Sequence, residues 1–198
     1  MKLLIASNNK HKINEIQSIL DEKFPSKYQA LSPANLSLNL DVEENADTLE
    51  GNAELKARAF FEHTGIPVIA DDTGLEVDAL NGKPGVYSAR FAGEPANDEN
   101  NRRKILTLLK DIPDEQQTAR FRTVICYIDK NTREFIEGKC EGKIINEERG
   151  NEGFGYDSVF IPRGFERTFA EMSSDEKNAI SHRGRAVRNF ADWLDSKK

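Results

Sequence analysis

The chain has 198 residues, 37% of them hydrophobic and 31% charged, with a formal net charge of -6. That length fits one domain able to bury a sizeable core. The negative balance disfavours non-specific nucleic-acid binding, and no apolar run approaches the roughly 20 residues that a membrane span requires.

The opening Met1-Lys2-Leu3-Leu4-Ile5-Ala6 has too short an apolar core for a secretory signal, and polar Ser7-Asn8-Asn9-Lys10 follows at once. Cys126 and Cys140 form no C-x-x-C pair. This argues against a disulfide framework or a zinc site and fits a reducing cytoplasm.

Lys2 to Ala6 reads as a buried strand, and Ile13, Ile16 and Leu20 recur at helical spacing, so a helix starts near Asn9 or Lys10. A helix N-terminus carrying Lys10 and Lys12 is a candidate phosphate site. Neither the P-loop nor the Rossmann fingerprint is present. Leu36, Leu38, Leu40 and Val42 alternate with polar residues, which predicts a half-buried strand running into Glu43-Glu44. Leu49 to Phe61 reads as a helix with Ala53, Ala57 and Phe60 on one stripe.

Ile66 to Ala70 reads as a buried strand ending on Asp71-Asp72, before Thr73-Gly74. Two acids at the end of a buried strand repel each other and lose hydration, so a cation or a basic clamp must compensate. The following Asn81 to Gly93 is a Gly- and Pro-containing loop carrying Tyr87, Arg90 and Phe91. Asp98 to Leu109 reads as a helix with Ile105, Leu108 and Leu109 inward, and Phe121 to Tyr127 as a strand turning at Asp129-Thr132 into Glu134 to Lys143. Such a hairpin makes the sheet mixed. Gly150 to Asp157 is a glycine-spaced loop holding Phe154, before a short strand at Val159-Ile161. Lys177, His182, Arg183 and Arg185 gather basic groups ahead of a helix through Val187, Phe190, Ala191 and Leu194.

Taken singly, each piece also fits a plain structural role. Asp71-Asp72 can cap a turn, Ser7 or Asn8 can cap a helix beside solvated lysines, and Glu43-Glu44 can be an exposed turn. Phe154 can tuck into the core, and His182 can be a satisfied structural histidine.

Five segments taken together resemble the inosine triphosphate pyrophosphatase family, the non-canonical purine nucleoside triphosphate pyrophosphatases. They are Ser7-Asn8-Asn9-x-x-Lys12-x-x-Glu15, Ala70-Asp71-Asp72-Thr73-Gly74-Leu75-x-Val77, Pro84-Gly85-Val86-Tyr87-Ser88-Ala89-Arg90, Gly153-Phe154-Gly155-Tyr156-Asp157 and Glu176-Lys177-Asn178-Ala179-Ile180-Ser181-His182-Arg183. They occur in the family's order and span nearly the whole chain. Asn8 stands where many members have Gly, Thr73 where many have Ser, and Ser158 where Pro is usual.

The resemblance implies an α/β fold: a long twisted mixed sheet with flanking helices, residues 1–198 forming one two-lobed domain around a central cleft. It implies Mg²⁺-dependent hydrolysis of the α–β phosphate bond of ITP, dITP and XTP to the monophosphate and pyrophosphate, by a cytoplasmic homodimer acting on small-molecule purine nucleotides. Ser7, Asn8, Asn9, Lys10, His11 and Lys12 would hold phosphates, with Lys177 and Arg183 clamping from the other lobe and Lys56 a weaker candidate. Glu43 and Asp72 would hold Mg²⁺, and Asp72 would take the water proton with Asp71 in support. Phe154 would stack on the base while Gly155, Tyr156 and Asp157 shape its pocket, His182 and Arg183 donate to the 6-oxo group, and Thr73 lines the substrate. Two other classes compete. A phosphatase with an aspartyl nucleophile would want Asp-x-Asp-x-Thr, which the adjacent acids break. A non-enzymatic nucleotide-binding module would leave Glu43 and Asp72 without a role.

Overall fold

The structure, a computed structural model, describes residues 1–197, and the side chains of His11 and Glu15 lie outside the described set. The strands are β1 (Lys2–Ile5), β2 (Gln29–Leu31), β3 (Val68–Val77), β4 (Pro84–Gly85), β5 (Thr118–Ile128), β6 (Arg133–Ile144) and β7 (Phe160–Pro162). The helices are α1 (Lys10–Lys23), α2 (Leu49–Thr64), α3 (Asp98–Leu109), α4 (Ser174–Ile180) and α5 (His182–Ser196). Among the described residues the strands form one sheet in the order β2-β1-β3-β5-β6-β7, with β4 paired to β3. The sheet is mixed as expected: β1 runs parallel to β2 and β3, while β4 on β3 and β7 on β6 are antiparallel.

The chain forms two compact units, one of residues 1–72, 123–138 and 184–198 and one of residues 73–122 and 139–183. In the first, side-chain alternation sorts each strand's residues onto two faces. Leu3, Ile5, Ile69, Ile125 and Tyr127 pack with Ile16 and Leu20 of α1 and Val187, Phe190 and Leu194 of α5. Leu4, Val68, Ala70, Cys126 and Ile128 pack with Ala53, Ala57 and Phe60 of α2. Strands covered on both faces read as apolar runs, which is why β1 and the start of β3 do. In the second unit, Leu75, Val77, Phe121, Cys140 and Phe160 pack with Ile105 and Leu109 of α3 and with Phe169 and Met172. Residues alternate to these on β3, β5 and β6 are charged: Arg120 pairs with Glu76 at 3.3 Å and Glu141 at 3.4 Å.

Four features differ from the expectations. β3 does not end at Asp71-Asp72; it runs on to Val77, because Leu75 and Val77 are fully buried and Leu75 pairs with Gly85 of β4. Leu36, Leu38, Leu40 and Val42 form no strand. Their alternation is one of burial, since they lie against the α2-side core, Leu36 from the end of a 3-10 turn (Pro33–Leu36) and the other three from an irregular segment. Leu108 points outward, 48% exposed, while Ile105 and Leu109 are inward. Strand β2 has no counterpart among the expected elements.

Candidate active site

The adjacent acids of β3 are separated by the same alternation that builds the core. Asp71 follows Ile69 onto the α1 face, and Asp72 follows Ala70 onto the α2 face. Each then meets a different compensating group. Lys12 of α1 places its ammonium 2.8 Å from Asp71 Oδ1, in a pair whose side chains are 18% and 10% exposed. Asn52 of α2, itself buried, donates its amide to Asp72 Oδ2 at 3.1 Å. The repulsion expected from two neighbouring carboxylates is relieved by pointing them apart, toward a cation and a neutral donor.

The spacing places Asn52 off the Ala53 stripe with Lys56 and Glu50, yet it is 1% exposed, because both ends of its amide find partners inside. Its carbonyl oxygen accepts the N–H of Ala46 at 2.9 Å, which fixes the amide so that its NH₂ end faces Asp72. One side chain therefore ties the acidic segment of Glu43 and Glu44 to the strand that carries Asp72. Glu43 is exposed, while Glu44 is half-buried and pairs with Lys56 at 3.0 Å.

The turn before α1 forms because its side chains close the helix start. Asn9 is the cap, accepting the N–H of Lys12 at 3.2 Å, and Ser7 accepts the N–H of Asn9 at 3.1 Å. Asn8 accepts the N–H of Ala34 at 3.3 Å, and it is not among the residues with positive φ, so this turn needs no left-handed residue there. The first turn of α1 holds no acid but does hold Lys10 and Lys12. Cations at the positive end of a helix dipole are unfavourable unless an anion joins them. Lys10 is exposed, and the His11 side chain lies outside the described residues.

The second unit gathers the Gly-rich loop and α4. Asp157, 4% exposed, accepts the N–H of Phe154 at 2.8 Å and the Lys177 ammonium at 2.6 Å, both on Oδ2. Lys177 Nζ also lies 5.0 Å from the Phe154 ring centroid, and the Arg183 guanidinium 5.7 Å from it. The Phe154 ring remains 60% exposed, not tucked into the core. Tyr156 is buried, its hydroxyl donating to the Ser88 carbonyl at 2.8 Å, and burial with the nearby Asp98 carboxylate pushes its pKa well up. His182 is buried and stacks on Phe121 at 4.6 Å between centroids. Gly155 adjoins Phe154 in the loop, and Thr73 follows Asp72 in β3, half-buried.

Lys177 thus meets Asp157 and an aromatic ring, where a phosphate contact was expected. The expected residues fall into two sets: Ser7 to Lys12 with Asp71, Asp72 and the Glu43-Glu44 segment in the first unit, and Phe154 to Asp157 with Lys177, His182 and Arg183 in the second.

Among the described residues, no group of three or more His, Cys, Asp or Glu side chains gathers to hold a metal ion. A protein cage of that kind suits zinc or calcium. Mg²⁺ is held by one or two carboxylates, keeping waters and substrate phosphates as its other ligands. Asp72, an oxygen donor braced by Asn52 and linked through it to the segment of Glu43, fits that hard-oxygen pattern.

Residues 3–193 match the model of the Ham1 family. The chain is 50% identical over 193 residues to a protein of Porphyromonas gingivalis named dITP/XTP pyrophosphatase, covering 98% of this chain and 97% of that one. Its fold matches the Ham1 protein of Staphylococcus aureus with a TM-score of 0.91 at 39% identity over the full length of both chains. It also matches a Mycobacterium abscessus structure titled nucleoside-triphosphatase / dITP/XTP pyrophosphatase, with a TM-score of 0.79 at 41% identity over 94% of this chain and 97% of that one.

Proposed function

Because the chain belongs to the Ham1 family, we propose that it hydrolyses the α–β phosphoanhydride bond of ITP, dITP and XTP, giving the nucleoside monophosphate and pyrophosphate and so removing non-canonical purines from the nucleotide pool. The observation that carries this reading is the pair of carboxylates on β3, one neutralised by Lys12 and the other oriented by Asn52, in a chain half identical to a dITP/XTP pyrophosphatase.

A triphosphate carries about four negative charges, so the work is mainly positioning and charge neutralisation. Ser7, Asn8, Asn9 and Lys10 line the start of α1, whose dipole favours phosphate, and Lys12 adds an ammonium there. Asp72 and Glu43 would hold Mg²⁺, with Asp71 and Glu44 close in sequence. When bound, that ion would neutralise phosphate charge and make the phosphoryl group more electrophilic. Asp72, its Oδ2 fixed by the Asn52 amide, accepts the proton of the attacking water.

The second unit takes the base. Phe154 offers an exposed ring for stacking, and Lys177 and Asp157 hold the loop that presents it. His182 and Arg183 donate to the 6-oxo oxygen. The 6-amino group of adenine would leave those donors unpaired, at about 1–3 kcal/mol each. The same reading carries a homodimer in the cytoplasm, checked by light scattering and cell fractionation. Among the described residues no helix is long and apolar enough to cross a membrane.

The test is a panel of nucleoside triphosphates incubated with and without Mg²⁺ and scored for pyrophosphate and orthophosphate. Pyrophosphate from ITP, dITP and XTP, with little from ATP and none without the metal, is expected. Orthophosphate as the first product, or no turnover of any triphosphate, overturns the reading.

A further inference from the structure

Helix α3 grips the loop of Phe154 at a single residue, Gly155, by both of its backbone polar groups. Asp98 Oδ2 accepts the N–H of Gly155 at 2.8 Å, and Arg102 Nη1 donates to the carbonyl of Gly155 at 2.9 Å. Asp98 and Arg102 are four residues apart and so share one helix face. Arg102 is braced in turn: its Nε lies 2.8 Å from Glu148 Oε2, an oxygen that also accepts the Ser158 hydroxyl at 3.2 Å. The helix is anchored by Ile105 and Leu109, both fully buried. Gly155 has φ +62, a left-handed conformation that glycine adopts without cost.

The Phe154 ring is too exposed for core packing to fix its position. Beside the Lys177 and Arg183 cations at its face, its direction rests on backbone restraints on either side, namely the Phe154 N–H on Asp157 and both polar groups of Gly155 on α3. Gly155 is half-buried, and water at its open side would satisfy these groups as well. Two charged side chains committed to it gain little as ion pairs, and what they determine is where the peptide sits.

We propose that Asp98 and Arg102 are positioning residues that hold the two peptides flanking Gly155, so that the neighbouring Phe154 ring is set in advance for the purine, which makes them determinants of nucleotide affinity. This rests on the reading that Phe154 stacks on the base. Preorganisation of a stacking ring lowers the ordering cost of binding and leaves the chemical step alone, so the effect belongs in KM.

The experiment measures kcat and KM for dITP with Mg²⁺ in the wild type and in Asp98→Ala, Arg102→Met and Asp98→Asn, with melting temperatures alongside. Asp98→Asn keeps an acceptor oxygen for the Gly155 N–H and serves as the rescue. Expected is a KM raised roughly tenfold in Asp98→Ala and in Arg102→Met, with kcat within about twofold of wild type and Asp98→Asn close to wild type in both. An unchanged KM in both Asp98→Ala and Arg102→Met overturns the proposal, whether or not their melting temperatures fall. So does a loss confined to kcat. A wild type that releases no pyrophosphate from dITP defeats the functional reading itself, a result distinct from wild-type turnover with unaffected variants.

Discussion

Asn52 bridges two parts of the chain: it donates to Asp72 Oδ2 at 3.1 Å and accepts from the Ala46 N–H at 2.9 Å. The residue is 1% exposed, so neither partner could be replaced by water at that spot. Asn52→Leu keeps the volume and removes both bonds. It should cost about 1–3 kcal/mol of stability, because a half-buried N–H and a half-buried carboxylate oxygen each lose a hydrogen bond. Turnover should fall by about tenfold or more, with a higher Mg²⁺ concentration needed for half activation, since the Glu43 segment loses its tie to β3. Denaturant titration and Mg²⁺ titration of pyrophosphate release check the two parts separately. Wild-type turnover and metal dependence in this variant would remove Asn52 from the site.

Asp72→Asn should behave differently. The side chain keeps its shape, and its amide oxygen still accepts from Asn52, so melting should be almost unaffected. What disappears is the negative charge needed to take a proton. Pyrophosphate release should fall below about one-thousandth of wild type, while dITP binding measured by calorimetry persists. Comparable release from purified variant and wild type would move the base to another residue.

Legibility in the sequence divided along physical lines. The opening strand-turn-helix was readable because Ile13, Ile16 and Leu20 supply a period behind a polar turn, a local signal, whereas the cap is Asn9 and not Ser7 or Asn8. The α2 stripe was readable for the same reason. The segment Leu36 to Val42 misled because alternation records burial on one side, whereas a strand also needs a hydrogen-bonded neighbour, which no local pattern encodes. The length of β3 was underestimated because Asp71-Asp72-Thr73-Gly74 looks like turn chemistry. Its continuation depends on β4, whose pairing with Leu75 and Glu76 is a tertiary event. The family motifs pointed to Asp72, Lys177 and Asp157. Asn52, Asp98 and Arg102 carry no such mark, because a polar residue on a helix is ordinary until its partner is known.

Gly74 is a position where only the absence of a side chain lets β3 and β4 meet. A Cβ there would lie 2.4 Å from the Gly85 carbonyl oxygen and 2.9 Å from its carbon, both backbone atoms without freedom to swing away. Gly74→Ala should therefore destabilise the protein by about 2–3 kcal/mol, in the range of core overpacking. Because Gly74 is two residues from Asp72 in the same strand, activity should also fall in the fraction that stays folded. Denaturant unfolding gives the first quantity and activity per folded molecule the second. A stability within about 0.5 kcal/mol of wild type would show that β4 can shift without cost.

Cys126 makes stability depend on alkaline pH. Burial among Ala53, Ala57, Val68 and Ala70, helped by the Glu54 carboxylate, pushes its thiol up to about 12. An unfolded chain releases that proton near 8.5. Below that value both states hold the proton and the stabilisation is fully present. As pH rises toward the folded value, the unfolded state alone sheds the proton, and stability falls by about 1.4 kcal/mol per pH unit. Between pH 8 and 10 this group should account for a loss of about 2 kcal/mol. Cys126→Ala removes the group, leaving a small cavity whose cost does not vary with pH. Its stability should start lower at pH 8 and then decline less steeply to pH 10. Parallel declines in wild type and variant, measured by denaturant titration at both pH values, would mean that the thiol is not what the alkaline range senses.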